Sequence, residues 1–346
     1  MTERRLISTR QTLPDVWEEV NGFFYQKGMT DGLPIVPPTE ERVWRMVEAV
    51  GRDPQEVVAE VPPGMGRATI EKLAINAVMA GCLPEYFAVV VAAVEALCQP
   101  SFNLTAIQAT TNPVGPLLIL NGPVRQHLGV NCGAGCMGPG WRANATIGRA
   151  IRLILLNIGG AAPGPVDKAV QGYPGKYTFC FGENEEDSPW PPLHTERGFR
   201  REESTVTVVG AQGTTNILEM SPRPDDLLVS LAHGMINTGV NNFLTGLGEP
   251  LLVLNPLHAR ILAEAGWTKD SLREYLFEHV RAPLSWFSRR ARERGTFEDR
   301  TRNDMVSMVR EPQQYMIVVA GSTGGHHSTF IPTFGDTLSV TRPIPQ

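Results

Sequence analysis

Cys132 and Cys136 stand in a glycine-rich stretch, residues 131–140, directly ahead of a segment with helical periodicity. From Trp141 onward, Ile147, Ala150, Ile151, Ile154, Leu155 and Ile158 recur at the three- and four-residue spacing of one helix face, and Gly159 and Gly160 close the run. Glycines let a backbone approach a ligand, and a helix start carries N–H groups without intrahelical acceptors, so the place is built like an anion site. Arg142 in the first turn opposes the helix dipole and calls for a negative partner. Thr146, Arg149 and Arg152 continue its stripe, with Asn144 in the same turn. A thiol near free helix N–H groups and an arginine has its pKa lowered toward thiolate, which would make Cys136 or Cys132 a nucleophile or redox centre. The competing reading is a loop that only packs, with solvated arginines and inert thiols.

A second set follows a strand expected over residues 177–181, which delivers Glu183, Asn184, Glu185 and Glu186 at its end. Lys176 precedes it, and His194 lies just beyond a proline-fixed turn. These groups suit acid/base chemistry, or a divalent metal held by Glu183, Glu185, His194 and His326. Solvated acids in a loop are the plainer alternative. A third set is the run from Gly321 through Ser322 to Ser328, a glycine-rich turn with two adjacent histidines, His326 and His327, leaving the buried strand expected over 316–320. Without G-K-[ST] it is no triphosphate loop. Adjacent histidines point differently, and His326 is favoured for the site.

The elements that must position these residues alternate between helices and short apolar strands. Helices are expected over 14–27, after Thr39, and over 68–80, 84–98, 225–236, 257–265 and 269–280, with a strand over 204–209. Residues 30–39 carry three prolines and read as an extended strap, with a role for Asp31 at the site as the minority view. Residues 61–66 read as a loop. The 84–98 helix is apolar nearly all round, which places it in a core or an oligomer interface. The mixed-sign run 288–304 is assigned to the surface, and His233 to helix packing.

Two echoes point to internal duplication. Gln108, Thr110, Thr111 and Asn112 return as Gln212, Thr214, Thr215 and Asn216, and Pro116 to Asn121 returns as Pro250 to Asn255. The Q-x-T-T-N loops would then face each other across a pseudo-two-fold cleft and supply uncharged donors to a polar ligand, unless each only caps its own turn. The expected fold is α/β or α+β with two related lobes. Its divisions are an N-terminal helical and proline-rich part (1–66), a first lobe (67–163), an acidic inter-lobe region (164–203) and a second lobe (204–346).

With 346 residues, 42% of them hydrophobic, the chain buries a large core, and a net charge of −5 without a basic run argues against nucleic-acid binding. No apolar window is long enough for a membrane span, and the N-terminus has no signal-peptide core. Five cysteines without a secretion signal read as cytoplasmic thiols, and the C-x₃-C spacing fits neither a zinc knuckle nor a thioredoxin motif. The strap and the 84–98 helix offer enough apolar surface to expect a homo-oligomer, most simply a homodimer.

The segments DGLPIVPPT, INAVMAGCLPEYF, ILNGPV, GPGWRANATIGRA, PGKY and ENEEDSPW, with the C-terminal glycine turn, span nearly the whole chain. Together they resemble a family of bacterial proteins placed near the UGSC-type (seleno)proteins, a group with a selenocysteine-or-cysteine thiol-redox motif. The resemblance implies a shared site around Gly138 to Arg149. The U-G-S-C motif itself is absent, so a redox thiol would be Cys136 or Cys132, or belong to a small thiol or selenol redox protein as partner. The leading expectation is an enzyme acting on a small anionic metabolite through Arg142, Arg149, the glycine loop and Cys136, with Glu183 or His194 moving the proton. The sequence leaves the cofactor open: none is required by it, and a divalent metal is possible. A metal-dependent hydrolase or lyase and a non-catalytic redox subunit are the alternatives.

Overall fold

The computed structural model describes residues 5–345; residues 1–4 and 346, the outer ends of the first and last expected divisions, lie outside it. β1 (Val57–Val61) and β2 (Gly66–Thr69) form a hairpin, and the loop expected over 61–66 is the turn that joins them. The next strands are β3 (Gly115–Asn121), β4 (Cys180–Gly182), β5 (Thr205–Ala211), β6 (Thr215–Leu218) and β7 (Leu251–Leu254). A small sheet of β8 (Arg281–Pro283), β9 (Thr301–Arg302) and β10 (Met305–Ser307) precedes β11 (Met316–Val319), β12 (His327–Ile331) and β13 (Val340–Pro343).

Two four-stranded sheets organise the molecule, one in the order β13-β5-β3-β4 and the other β6-β12-β7-β11. In each, an inner strand (β3 or β7) runs parallel to one neighbour and antiparallel to the other, which is antiparallel to the edge strand. Alternation along the strands then builds four layers. Leu117 and Ile119 of the first sheet meet Leu251, Val253 and Val318 of the second in one apolar layer. Leu118 and Leu120 turn outward to the N-terminal helices, and Leu252, Leu254 and Ile317 turn to the C-terminal ones. The fold is α/β, with both sheets covered by helices on their outer faces.

The apolar echo occupies equivalent inner strands, β3 and β7, but the polar echo does not follow it. Residues 108–112 precede β3, whereas 212–216 lie between β5 and β6. The edge strands are also exchanged: β6, which follows β5, joins the second sheet, and β13, which follows β12, joins the first. The expected boundary at residue 204 cuts through the first sheet, since β3 and β4 precede it while the inner strand β5 and the edge strand β13 follow it.

The Phe87–Leu97 helix is apolar all round because it is enclosed by the Ile70–Ala80 and Arg142–Asn157 helices and by β5 and β13. It leaves no face for a partner, so that ground for expecting an oligomer is withdrawn. No single helix among the described residues is long and apolar enough to cross a membrane; Pro84–Leu97 with Pro100–Ala109 forms one bent pair of that character.

Candidate functional site

The cysteine loop is held from below by the Arg142–Asn157 helix. Asn144, buried on its inner face, accepts a hydrogen bond from the Asn131 N–H (2.8 Å) and donates to the carbonyls of Asn131 (3.0 Å) and Cys136 (3.2 Å). The Gly321 N–H donates to the Cys132 carbonyl at 2.8 Å, which ties this loop to the C-terminal glycine turn. Between them lies a cavity of about 270 Å³, walled by Cys136, Met137 and their flanking glycines on one side and by Ser322, Gly324 and Gly325 on the other. Its floor is the inner face of the second sheet, with Val253, Asn255, His327 and Thr329. This is the carboxyl end of the parallel pair β7 and β11, the place where α/β sheets leave a crevice. The two segments with the strongest sequence signals thus share one cavity.

Burial decides the state of the thiols. Cys136 is 6% exposed, and desolvation pushes its thiol up to about 11; the neighbouring Cys132 adds to this, against the N–H groups of Cys136 and Met137. Cys132 is also raised by desolvation, although Arg125 Nη1 stands 3.6 Å from its sulfur and opposes the shift. The expected depression toward thiolate is overturned, since both sulfurs are largely withdrawn from water. Cys132 packs so closely that a Cβ at Gly182 would meet its sulfur at 2.5 Å.

Arg142 is exposed at the helix start and does not line the cavity, and no ion pair involves it among the described residues. Thr146 donates back to the Arg142 carbonyl. Arg149 is committed to the proline strap: its Nε meets Asp31 at 2.7 Å, and Nη2 donates to the carbonyls of Leu33 and Pro34. The apolar side of the helix is claimed by the core, so the stripe faces outward: Arg149 meets the strap, Arg152 donates to the Ala161 carbonyl, and neither joins the thiols.

Within the acidic set Glu183 and Glu185 are buried in a hydrogen-bonded network, and Glu186 lies at its half-exposed edge. Glu183 accepts from Asn121 Nδ2 (2.7 Å) and the Leu193 N–H (2.8 Å), with Lys269 Nζ at 3.7 Å. Glu185 accepts from the Gly122 N–H (2.7 Å) and lies 3.1 Å from Arg125 Nε. Arg125 also grips both oxygens of Glu186, whose carboxyl is lowered chiefly by that hydrogen bond. His194 is fully buried, 3.4 Å from the Arg201 carbonyl, and Lys176 pairs with Asp167 at 2.6 Å. None of these lines the cavity. The alternative metal set Glu183, Glu185, His194 and His326 is not assembled: among the described residues no three His, Cys, Asp or Glu side chains could hold one ion.

Of the polar echo, Thr110 accepts from the Asn112 N–H and side chain, Gln212 Nε2 donates to Asn112 Oδ1 at 3.1 Å, and Thr111 and Thr214 are exposed. Thr215 lies on β6, paired with Phe330. The two copies touch, but only Asn216 approaches the cavity, where its Oδ1 lies 3.0 Å from His327 Nδ1. His326 points away, its ring 6.4 Å from that of His258. His258, lowered first by desolvation, bonds Ser328 Oγ (2.8 Å) and the Glu219 carbonyl (3.0 Å). The favoured histidine is corrected accordingly: His327 starts β12 on the same face as Thr329, and that alternation was the signal that could have found it. Asn255 and Thr329 were missed as well; Asn255 holds the His327 carbonyl at 2.9 Å and caps the Pro256–Glu264 helix through the His258 N–H.

No protein-family model matches this chain, and none of the curated proteins matches its sequence.

Proposed function

We propose that the chain is an enzyme acting on a small anionic metabolite bound in the cavity between residues 135–138 and 321–325, with the Cys136 sulfur as its nucleophile. The observation that carries this reading is the meeting of two glycine-rich segments, distant in sequence, around one thiol. Gly135, Ser322 and Gly325 line the cavity, and among the described residues their N–H groups have no protein acceptor. No acidic side chain lines it. Free N–H groups with no competing carboxylate favour an anion. A volume of about 270 Å³ lies below the roughly 300–1,000 Å³ of drug-sized sites and favours a small ligand. Arg142 and Arg149 are left out of this reading, since neither lines the cavity.

The test is protection of the thiol. Iodoacetamide labelling of Cys136, followed by peptide mass mapping, is run with and without small mono- and dicarboxylates and inorganic phosphate. At least one of these anions should slow labelling of Cys136 while leaving that of Cys132 unchanged. Equal labelling in every case would remove the anion site from the proposal.

A further inference from the structure

A thiol held near 11 is protonated at neutral pH, so a nucleophilic Cys136 needs a base in its own cavity. Among the residues that line the cavity, His327 alone has a side chain suited to that work. Its Nδ1 lies 3.0 Å from Asn216 Oδ1. A carboxamide oxygen can only accept, so Nδ1 carries the imidazole proton and Nε2 keeps its lone pair. The backbone beneath is fixed too, since Asn255 Nδ2 donates to the His327 carbonyl. From this geometry we infer that His327 is the proton acceptor for Cys136 and Asn216 the positioning residue that sets its tautomer, a Cys-His-Asn relay assembled from three distant parts of the chain. The inference rests on the thiol reading above.

In the step itself the Cys136 Sγ–H proton passes to His327 Nε2, leaving a thiolate and an imidazolium. With iodoacetamide as the electrophile, the sulfur forms an S–C bond, the C–I bond breaks, iodide leaves, and the imidazolium returns its proton to solvent. The other titratable groups around the pair are Cys132 on the loop, and His326, His258 and Glu219 at the base of β12.

The experiment follows iodoacetamide labelling of Cys136 against pH by mass mapping in the full chain, with Cys132 as internal reference. His327→Ala should slow labelling near neutral pH by about 10²-fold, the scale of a lost general base. Asn216→Ala should slow it about fivefold, the scale of one neutral hydrogen bond, and Asn216→Asp, which keeps an acceptor, should restore it. All variants should converge with wild type at alkaline pH, where hydroxide removes the thiol proton. Both residues are exposed, so melting temperatures should stay unchanged. Unaltered near-neutral labelling in His327→Ala overturns the relay, and an Asn216→Ala rate equal to wild type overturns the positioning role. Labelling that depends on His327 but is protected by no anion would leave the relay standing and remove the anion reading instead.

Discussion

The guanidinium of Arg149 and the carboxylate of Asp31 meet at 2.7 Å, with the aspartate side chain 2% exposed. This pair, with the Leu33 and Pro34 carbonyls on the same guanidinium, clamps the proline strap to the helix under the cysteine loop. Removing one member leaves the other charge largely withdrawn from water. Asp31→Ala should therefore lower stability by about 3 kcal/mol in denaturant unfolding. Cys136 labelling and its protection by anions should stay as in wild type. The reverse pattern, full stability with protection lost, would return Arg149 to the ligand site.

Gly148 sits in the middle of the same helix, where glycine normally weakens the structure by up to about 1 kcal/mol relative to alanine. Here the sign reverses. A Cβ at this position would stand 2.3 Å from Thr178 Oγ1 and 2.8 Å from the Phe179 nitrogen, and that threonine is held by its bond to the Ala145 carbonyl. Gly148→Ala should destabilise by roughly 1–3 kcal/mol, the range for overpacking a filled contact. Gly22, in the Trp17–Gln26 helix, has nothing within 4 Å of its Cβ position. Gly22→Ala should gain up to about 1 kcal/mol. Equal shifts in the two variants would contradict the steric account.

Periodicity made the Arg142–Asn157 helix legible, because its apolar face must meet a core whatever the topology. Loop composition likewise marked residues 131–140 and 321–325. Their convergence on one cavity was not readable, since it depends on β7 pairing with β11 and on the two sheets packing face to face. The acidic cluster was hidden for a related reason: most of the groups that hold Glu183 and Glu185, the Asn121 side chain, the Gly122 N–H, Arg125 and Lys269, are far away in sequence. In the run read as charged surface, Arg300 is buried and bonded to the Phe243 and Ser307 carbonyls, and desolvation brings it down to about 10. Charge counts alone do not reveal such acceptors.

Glu71 supplies a pH-dependent contact. It is buried, which raises its carboxyl, but bonds from the Ser8 N–H, Gln55 Nε2 and the Ile7 N–H more than offset that, and the net shift is downward. A depressed carboxyl binds its proton less readily folded than unfolded. Its stabilisation is thus complete above the ordinary glutamate value of about 4.3 and is lost as pH falls through the lower folded value. The Ile7 and Ser8 amide resonances should shift together with a midpoint below that ordinary value. A midpoint above it, or no titration, would separate the N-terminal segment from Glu71.

Asn144 connects the helix to the chemistry proposed for Cys136. Its side chain makes three bonds to the 131–136 backbone, so Asn144→Ala leaves the Asn131 N–H without a buried partner, at about 1–3 kcal/mol. The second effect is on the thiol. Because desolvation is the leading cause that holds Cys136 near 11, a loosened loop that admits water should move it down toward the ordinary cysteine value of about 8.5. The variant should then label faster than wild type near neutral pH, with a lower midpoint and weaker dependence on His327. Protection by anions should be lost at the same time, since the glycine wall is no longer fixed. A variant of reduced stability whose Cys136 midpoint stays near 11 would show that something other than this loop keeps water from the sulfur.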